Sequence, residues 1–252
     1  MPRRKPRLQT QASSDQARSR KELLALFKQT PIPIEQLMMN LHLYTRSSVL
    51  AKILYVDELY RRIAGIPGII MEFGVWWGAN IALFESLRAV HEPYNYTRKV
   101  VGFDTFAGYP VSSNKDGKVP FLAKGGYSVG GDYEGHLRRV LDAHEKENTM
   151  GHIKKYELVK GNASSTVKAY LKRNPQTVVA LAYFDMGLYE PTKACLEAIR
   201  PHLARGSVIA MDQLNSDEMP GETIALRETL GLDRFKIERS RFLPDRSILV
   251  VD

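Results

Sequence analysis

The chain has 252 residues, 44% hydrophobic and 25% charged, which is typical of a soluble globular protein and excludes a mainly disordered or collagen-like one. Its single cysteine, Cys195, excludes an internal disulfide and a zinc site built from cysteines. The net charge of +8 is of the kind found in proteins that bind nucleic acid or anionic membranes. No apolar run approaches the roughly 20 residues that cross a bilayer, and the Arg-rich start lacks the apolar core of a secretory signal. We therefore expect a cytoplasmic protein without a membrane partner.

The basic charge is concentrated in the first part of the chain. Residues 1–28 hold eight basic and two acidic side chains, a net charge of +6, which leaves +2 for the rest. The segment from Gln9 to Ser19 is polar and has no apolar period, so we predict that residues 1–28 form a disordered or loosely attached tail. Such a tail either solubilises the protein or binds RNA, DNA or acidic partners. We expect the solubilising role.

Two amphipathic helices are predicted after the tail. Apolar residues recur at helical spacing between Leu37 and Tyr44, and again between Val49 and Ile63. The sequence Gly65-Ile66-Pro67-Gly68 ends the second helix. We therefore predict a helical cover over residues 29–66 and a separate domain over residues 67–252.

Strands and helices alternate in the predicted domain. Strands are expected at residues 68–73, 99–103, 156–159, 178–184, 208–211, 237–241 and 248–251. Helices are expected at residues 80–89, 133–148, 165–172, 191–203 and 223–230. This alternation predicts an α/β fold with a mostly parallel seven-stranded sheet covered by helices on both faces. Ligands of such sheets lie outside the carboxyl ends of the strands.

Acidic residues end the first two predicted strands. Glu72 is followed by Gly74 and Gly78, an arrangement that lets the backbone approach a small cofactor but lacks the third glycine of the dinucleotide fingerprint. Asp104 ends the second strand, where a carboxylate either binds the two ribose hydroxyls or caps a turn. Two acids at successive strand ends, about 30 residues apart, favour an adenosine-containing cofactor.

Polar residues also follow the next three strands. Asn162 either caps the following helix or lies beside an adenine ring. Asp185 and Asp212 follow two apolar strands, and carboxylates there hold a metal, act as a general base, orient a substrate or simply belong to polar loops.

The connection between residues 107 and 136 is long and rich in glycine and tyrosine. A connection of this length inside a compact domain is usually functional or disordered, so it predicts either a lid over the strand ends or a disordered loop. His136, at its end, is a further candidate base.

Four motifs resemble those of the macrocin and mycinamicin sugar O-methyltransferase family. They are Glu72-Phe73-Gly74-Val75-Trp76-Trp77-Gly78 and the segments 103–110, 185–192 and 206–213. The resemblance implies a Rossmann-like class I methyltransferase fold and the cofactor S-adenosylmethionine. It implies O-methylation of a sugar or another polar small molecule in secondary-metabolite or polysaccharide biosynthesis, and it is compatible with a homodimer.

The resemblance also implies which residues bind the cofactor and which perform the chemistry. The implied cofactor contacts are Glu72, Phe73, Gly74, Gly78, Asp104, Thr105, Asn162, Ala163 and Asp185, with Tyr44, Thr45 and Arg46 folding over the cofactor from the N-terminal helices. Arg46 would pair with the cofactor carboxylate. Asp212 is the first candidate for the catalytic base and Asp185 the second.

The chain departs from the family at the metal site. Characterised members hold a divalent metal with an aspartate just before Leu-Tyr-Glu and with two consecutive aspartates after the fifth strand. Gly187, Met211 and Asp212 stand at those positions here, so one carboxylate of three remains. Because a hard cation prefers several oxygen ligands, we expect no metal site and no Mg²⁺ dependence, in preference to a rebuilt site that includes Gln213 and Asn215.

Three other functions remain open. They are N-methylation of a small molecule, cofactor binding without catalysis, and nucleic-acid binding through the basic tail. The last is disfavoured because the body of the chain lacks interleaved aromatic and basic residues.

Overall fold

The computed structural model describes residues 12–110 and 112–252, and the chain forms two compact units that divide between Ile53 and Leu54. The division falls within the helix Ser47–Ile63, whereas the sequence predicted a boundary after residue 66. The second half of that helix belongs to the core of the second unit. Its buried residues there are Tyr55, Val56, Leu59, Tyr60 and Ile63.

The first unit is helical. Its first helix, α1, covers Ser14–Lys28, and α2 covers Ile34–Leu37, followed by a 3₁₀ helix over Met38–Tyr44 and by α3 over Ser47–Ile63. A capping box between the side chains and backbone amides of Ser13 and Gln16 begins α1. This corrects the predicted disorder for Ser14–Lys28, while residues 1–11 lie outside the described part.

The second unit contains a seven-stranded sheet, as the sequence predicts. Its strands are β1 Ile69–Phe73, β2 Val100–Asp104, β3 Tyr156–Lys160, β4 Val179–Phe184, β5 Leu203–Met211, β6 Lys236–Arg239 and β7 Ser247–Val250. The order is β3-β2-β1-β4-β5-β7-β6. The first five of these pair in parallel, and β7 runs antiparallel to both β5 and β6. The predicted fold class is confirmed.

Helices connect the strands, and alternate strand residues face two separate cores. The helices are α4 Ala79–His91, α5 Tyr133–Glu147, α6 Ala163–Arg173, α7 Tyr189–Ile199 and α8 Gly221–Thr229. In β1, Ile70 contributes to one core while Met71 and Phe73 contribute to the other. The sheet is therefore buried on both faces, which explains the continuous apolar runs of its strands. None of the described helices is long and apolar enough to cross a membrane.

The sheet topology places the polar strand ends along one crevice. The chain leaves β1 for β2 on one side, whereas β4 lies on the other side of β1. In parallel sheets, a ligand crevice opens at the carboxyl ends of the strands where the strand order reverses in this way. Glu72 and Asp104 lie at the carboxyl ends of β1 and β2, Asp185 follows β4, and Asp212 follows β5, one strand further along the sheet.

Helix α4 contains the buried carboxyl group of Glu85. Glu85 is fully buried, and neither of its carboxylate oxygens has a hydrogen-bond partner within the described residues. Burial raises the pKa of Glu85 from 4.5 to about 8, against the lowering effect of the neighbouring Arg88 guanidinium. The folded protein therefore favours the protonated form of this side chain.

The raised pKa predicts a pH-dependent stability. The contribution of protonated Glu85 is fully present below its unfolded pKa of 4.5 and is lost as the pH rises through about 8, because folding then requires a buried charge. In urea unfolding, Glu85→Gln should match the wild type near pH 5 and be more stable above pH 8, by on the order of a few kcal/mol. The exposed Glu147→Gln is the matched control. An equal stability difference for Glu85→Gln at both pH values would contradict this assignment.

Candidate active site

The turn between β1 and α4 is shaped by two glycines. Gly74 and Gly78 have φ angles of +95° and +79°, in the region that favours glycine. A Cβ atom at Gly74 would overlap the carbonyl group of Asp185, and one at Gly78 would overlap the Leu137 side chain. The glycines therefore let this turn lie directly against the end of β4 and against α5.

The two residues before this turn have different roles. Glu72 is fully buried, and the Asn80 amide donates a hydrogen bond to its Oε1 atom at 3.2 Å. Phe73 is also fully buried, and its ring stacks on Phe103 and Phe184 at centroid distances of 5.1 and 4.7 Å. The Phe73 side chain therefore packs in one core of the sheet, and its predicted cofactor contact stays a prediction.

Asp104 joins two turns of the backbone. Its Oδ2 atom accepts hydrogen bonds from the N–H groups of Val75 and Trp76 at 2.7 and 2.8 Å, and its Oδ1 atom accepts one from Phe106 at 2.6 Å. The neighbouring Thr105 hydroxyl donates to the Gly108 carbonyl at 2.8 Å and thus stabilises the following turn. A carboxylate offers about four acceptor positions, so Asp104 keeps one for a further donor.

Asn162 begins helix α6. Its Oδ1 atom accepts a hydrogen bond from the Ser164 N–H group at 3.0 Å, so the capping role predicted as one alternative is confirmed. Ala163, the first residue of the helix, is buried against the core of the second unit. A contact of either residue with adenine stays a prediction.

Tyr44, Thr45 and Arg46 lie in the first unit. They border a groove of about 520 Å³ that is formed by α1, the 3₁₀ helix and the start of α3. The Tyr44 hydroxyl donates to the Thr30 hydroxyl at 2.8 Å, and its ring meets the Phe27 ring edge-on at 5.2 Å. Their predicted cofactor contacts stay predictions.

Asp212 follows β5 and forms an ion pair with Arg246. It is 3% exposed, and its Oδ1 atom lies 2.6 Å from the Arg246 Nε atom and 2.5 Å from the Tyr183 hydroxyl, which donates to it. Burial raises the pKa of Tyr183 well above its usual value, and the Asp212 charge raises it further. Tyr183 therefore stays a hydrogen-bond donor, and Asp212 acts as the buried partner of Arg246.

Asp185 follows β4 and is partly exposed, unlike Asp212. Its backbone N–H group donates to the Phe73 carbonyl at 2.9 Å, and the Gln213 amide donates to its Oδ1 atom at 3.4 Å. Burial raises the pKa of Tyr109 and Tyr127, and the charge of Asp185 raises both further. The charge of Asp185 therefore acts on these two tyrosines of the 107–136 connection.

Sequence reasoning did not identify Glu222 as part of the site. Glu222 is fully buried at the start of α8, and its Oε1 atom accepts hydrogen bonds from the N–H groups of Met186 and Gly187 at 3.1 and 2.8 Å. Its Oε2 atom accepts one from the Gln213 N–H group at 3.0 Å. Burial raises the pKa of Glu222, whereas the hydrogen bonds from the Gly187 and Gln213 N–H groups lower it and so favour the ionised carboxylate. One side chain thus joins the loops after β4 and β5.

The connection between residues 107 and 136 is folded against the body of the second unit wherever it is described. Asp116 is 3% exposed and accepts hydrogen bonds from the backbone N–H groups of Tyr189 and Ser113 at 2.5 and 2.6 Å. The backbones of Tyr109 and Gly126 are also hydrogen-bonded at 2.8 Å. The alternative of a disordered loop is therefore wrong for the described part, which excludes Val111. His136 is exposed, and its ring contacts the Tyr133 ring at a centroid distance of 5.6 Å.

The three positions that hold a metal in the family do not fit one here. Gly187 has no donor side chain, and an added Cβ atom would overlap the methyl group of Met219. Met211 is buried in the core, and Asp212 is paired with Arg246. Within the described residues, no three His, Cys, Asp or Glu side chains are grouped as metal ligands. This donor set does not suit a hard divalent cation.

Comparisons with known proteins place the fold among methyltransferases. A solved structure of CalS11, a calicheamicin methyltransferase, is 44% identical to this chain. The match covers 96% of this chain and 94% of the CalS11 chain, with a TM-score of 0.93. An apo structure of CalS11, described as TDP-rhamnose 3'-O-methyltransferase in calicheamicin biosynthesis, is 42% identical, covers 96% of each chain and gives a TM-score of 0.85. The O-methyltransferase NovP is 17% identical over 80% of this chain and 79% of its own, and its TM-score of 0.59 shows a shared fold. No curated protein matches the chain significantly.

The family follows from a match that covers most of the second unit. The family model of macrocin-O-methyltransferase (TylF) matches residues 56–228, which is more than half of the chain. That range contains Glu72, Asp104, Asp185, Asp212 and Glu222, and therefore the strand ends described above. The chain belongs to the macrocin-O-methyltransferase family and is an S-adenosylmethionine-dependent O-methyltransferase whose acceptor is a sugar or another polar small molecule.

Proposed function

We propose that the enzyme methylates a hydroxyl group of a deoxyhexose that is attached to a nucleoside diphosphate. The observation that carries this proposal is the 42–44% identity to CalS11 over nearly the full length of both chains. CalS11 is described as a TDP-rhamnose 3'-O-methyltransferase, and the match covers 96% of this chain. A similar acceptor is therefore the best-supported choice for this chain.

The proposed acceptor predicts a direct product. Full-length protein supplied with S-adenosylmethionine and TDP-rhamnose should yield TDP-rhamnose that carries one additional methyl group, detected by mass spectrometry and located on the sugar by NMR. Free rhamnose should react much more slowly, because the carrier supplies binding energy remote from the reacting hydroxyl. Methylation of a sugar attached to an aglycone, with no reaction on TDP-linked deoxyhexoses, would contradict the proposal.

We propose that the cofactor lies at the ends of β1, β2 and β3. When bound, S-adenosylmethionine supplies an electrophilic methyl group on a sulfonium sulfur. The acceptor groups at these strand ends fit it, because the Glu72 carboxylate suits the ammonium group and the remaining acceptor position of Asp104 suits a ribose hydroxyl. The Asn162 cap lies at the third strand end, where the adenine edge would be expected.

We propose Asp185 as the catalytic base in preference to Asp212, which reverses the order expected from the sequence. The Asp212 carboxylate is buried in an ion pair with Arg246, whereas Asp185 is partly exposed and its charge acts on Tyr109 and Tyr127. Asp185 accepts the proton of the sugar hydroxyl while the hydroxyl oxygen forms its bond to the methyl carbon and the carbon–sulfur bond breaks. Gln213 orients the carboxylate through its amide hydrogen bond.

The two aspartates should therefore respond differently to amide substitution. Asp185→Asn should bind the cofactor product with normal affinity in calorimetry but turn over about 10²–10⁴ times more slowly, and its kcat should lose the acidic limb of its pH profile. Asp212→Asn should lower the melting temperature, because it leaves Arg246 without its buried partner. Normal turnover by Asp185→Asn would contradict the assignment. So would loss of turnover in an Asp212→Asn variant that keeps the stability and cofactor affinity of the wild type.

A further inference from the structure

Two exposed tryptophans stand at the carboxyl end of β1. Trp76 and Trp77 are the only tryptophans of the chain, and they are 40% and 43% exposed in the turn that leads into α4. Large aromatic side chains combine a broad apolar face with high contact area, and exposed groups of them commonly mark binding sites. Neither ring is required to complete the two cores of the sheet, whose members do not include them.

The surrounding contacts hold the tryptophans in defined orientations. The backbone N–H group of Trp76 donates to the Asp104 carboxylate at 2.8 Å. The residue has a φ of +50°, which is a strained conformation for a bulky side chain. The Trp77 ring meets the Tyr133 ring at 90° with a centroid distance of 4.7 Å, and the Tyr133 hydroxyl donates to the Trp77 carbonyl at 2.9 Å. A rigid aromatic pair of this kind is suited to stacking on a planar ligand.

A row of rings connects this pair to the proposed base. Trp76 meets Tyr127 edge-on at 5.4 Å, and Tyr127 meets Tyr109 at 5.5 Å. Both tyrosines lie within electrostatic range of Asp185. Tyr127 also has a positive φ of +60°, so two aromatic residues in strained conformations contact each other, and such strain commonly accompanies function.

We propose that Trp76 and Trp77 form a nucleobase platform, which binds the planar base of the acceptor's nucleotide while the sugar hydroxyl lies at Asp185. This inference rests on the proposed function and specifies how the same site recognises its substrate. The row of rings runs from the reacting end at Asp185 to the exposed pair, so the part of the substrate at the pair is remote from the hydroxyl. In a nucleotide-linked sugar the remote part is the base, and bases stack on aromatic side chains with little dependence on sequence or ring type.

The absence of other tryptophans makes the platform directly observable. All tryptophan fluorescence of the full-length protein comes from this pair, so ligands that stack there should quench it. With the protein saturated by S-adenosylhomocysteine, TDP and TDP-rhamnose should quench the emission saturably, whereas free rhamnose should not. Quenching by S-adenosylhomocysteine alone, with no further change on adding TDP, would overturn the platform and assign the pair to the cofactor.

A substitution series tests the platform through affinity. Trp77→Leu should weaken TDP binding by about tenfold or more and raise KM for TDP-rhamnose by a similar factor, with a smaller change in kcat, while Trp77→Phe should recover part of the loss. Tyr94→Leu is the matched control, because Tyr94 is 77% exposed and precedes β2, at the opposite end of the sheet. It should leave both constants unchanged.

The outcomes separate the platform from the proposed function. Methylation of TDP-rhamnose with unchanged TDP affinity and KM in Trp77→Leu would overturn the platform and leave the proposed function intact. Failure of the wild type both to bind TDP and to methylate TDP-rhamnose would overturn both. We expect the wild type to methylate TDP-rhamnose. We also expect Trp77→Leu to lose about tenfold in TDP affinity, and Tyr94→Leu to keep the wild-type affinity.

Discussion

The hydrogen bonds of the Glu222 carboxylate fix the ends of β4 and β5 relative to each other. Three backbone N–H groups, those of Met186, Gly187 and Gln213, point at this one fully buried side chain. Burying a carboxylate is costly, and N–H donors offset that cost by replacing its hydration shell. Because the loops after both strands depend on Glu222, the positions of Asp185 and Asp212 depend on it as well.

Several acids at the strand ends serve to join backbone segments. Asp104 links the β1 and β2 turns, and Asp116 links the 107–136 connection to the start of α7. Asp212 is paired with Arg246. Asp185 differs from Asp116 and Asp212 because it is partly exposed, and its charge acts on Tyr109 and Tyr127 of the connection. The structural acids give the crevice a fixed shape, and this rigidity favours Asp185 as the group that accepts a proton.

Much of the fold follows from local sequence. The buried strands are continuous apolar runs that end in Gly or Asp, so β1 and β2 are predicted to within one residue. The helix Ser14–Lys28 is missed because polar composition conceals the capping box at its start. Strand β5 begins at Leu203, earlier than predicted, because Arg205 and Gly206 interrupt its apolar pattern. The cytoplasmic location and the homodimer stay predictions.

The candidate site is less predictable, because its decisive contacts join residues that are distant in the chain. The Glu222 carboxylate bonds to backbone groups 36, 35 and 9 residues away, and no spacing rule relates a carboxylate to unspecified N–H groups. The identity of Arg246 as the partner of Asp212 is hidden for the same reason. Glycines at 74 and 78 are predictable, since a turn after a strand that approaches another backbone restricts the residue type.

Amide hydrogen exchange of the wild type and of Glu222→Gln measures this central constraint directly. A glutamine can accept the Met186 and Gly187 hydrogen bonds with its oxygen, but its amide nitrogen then faces the Gln213 N–H group, and two donors repel. We expect all three amides to be protected in the wild type, and we expect the variant to lose protection at Gln213 while keeping it at Met186 and Gly187. Equal protection of the three amides in both proteins would show that Glu222 does not hold the strand ends.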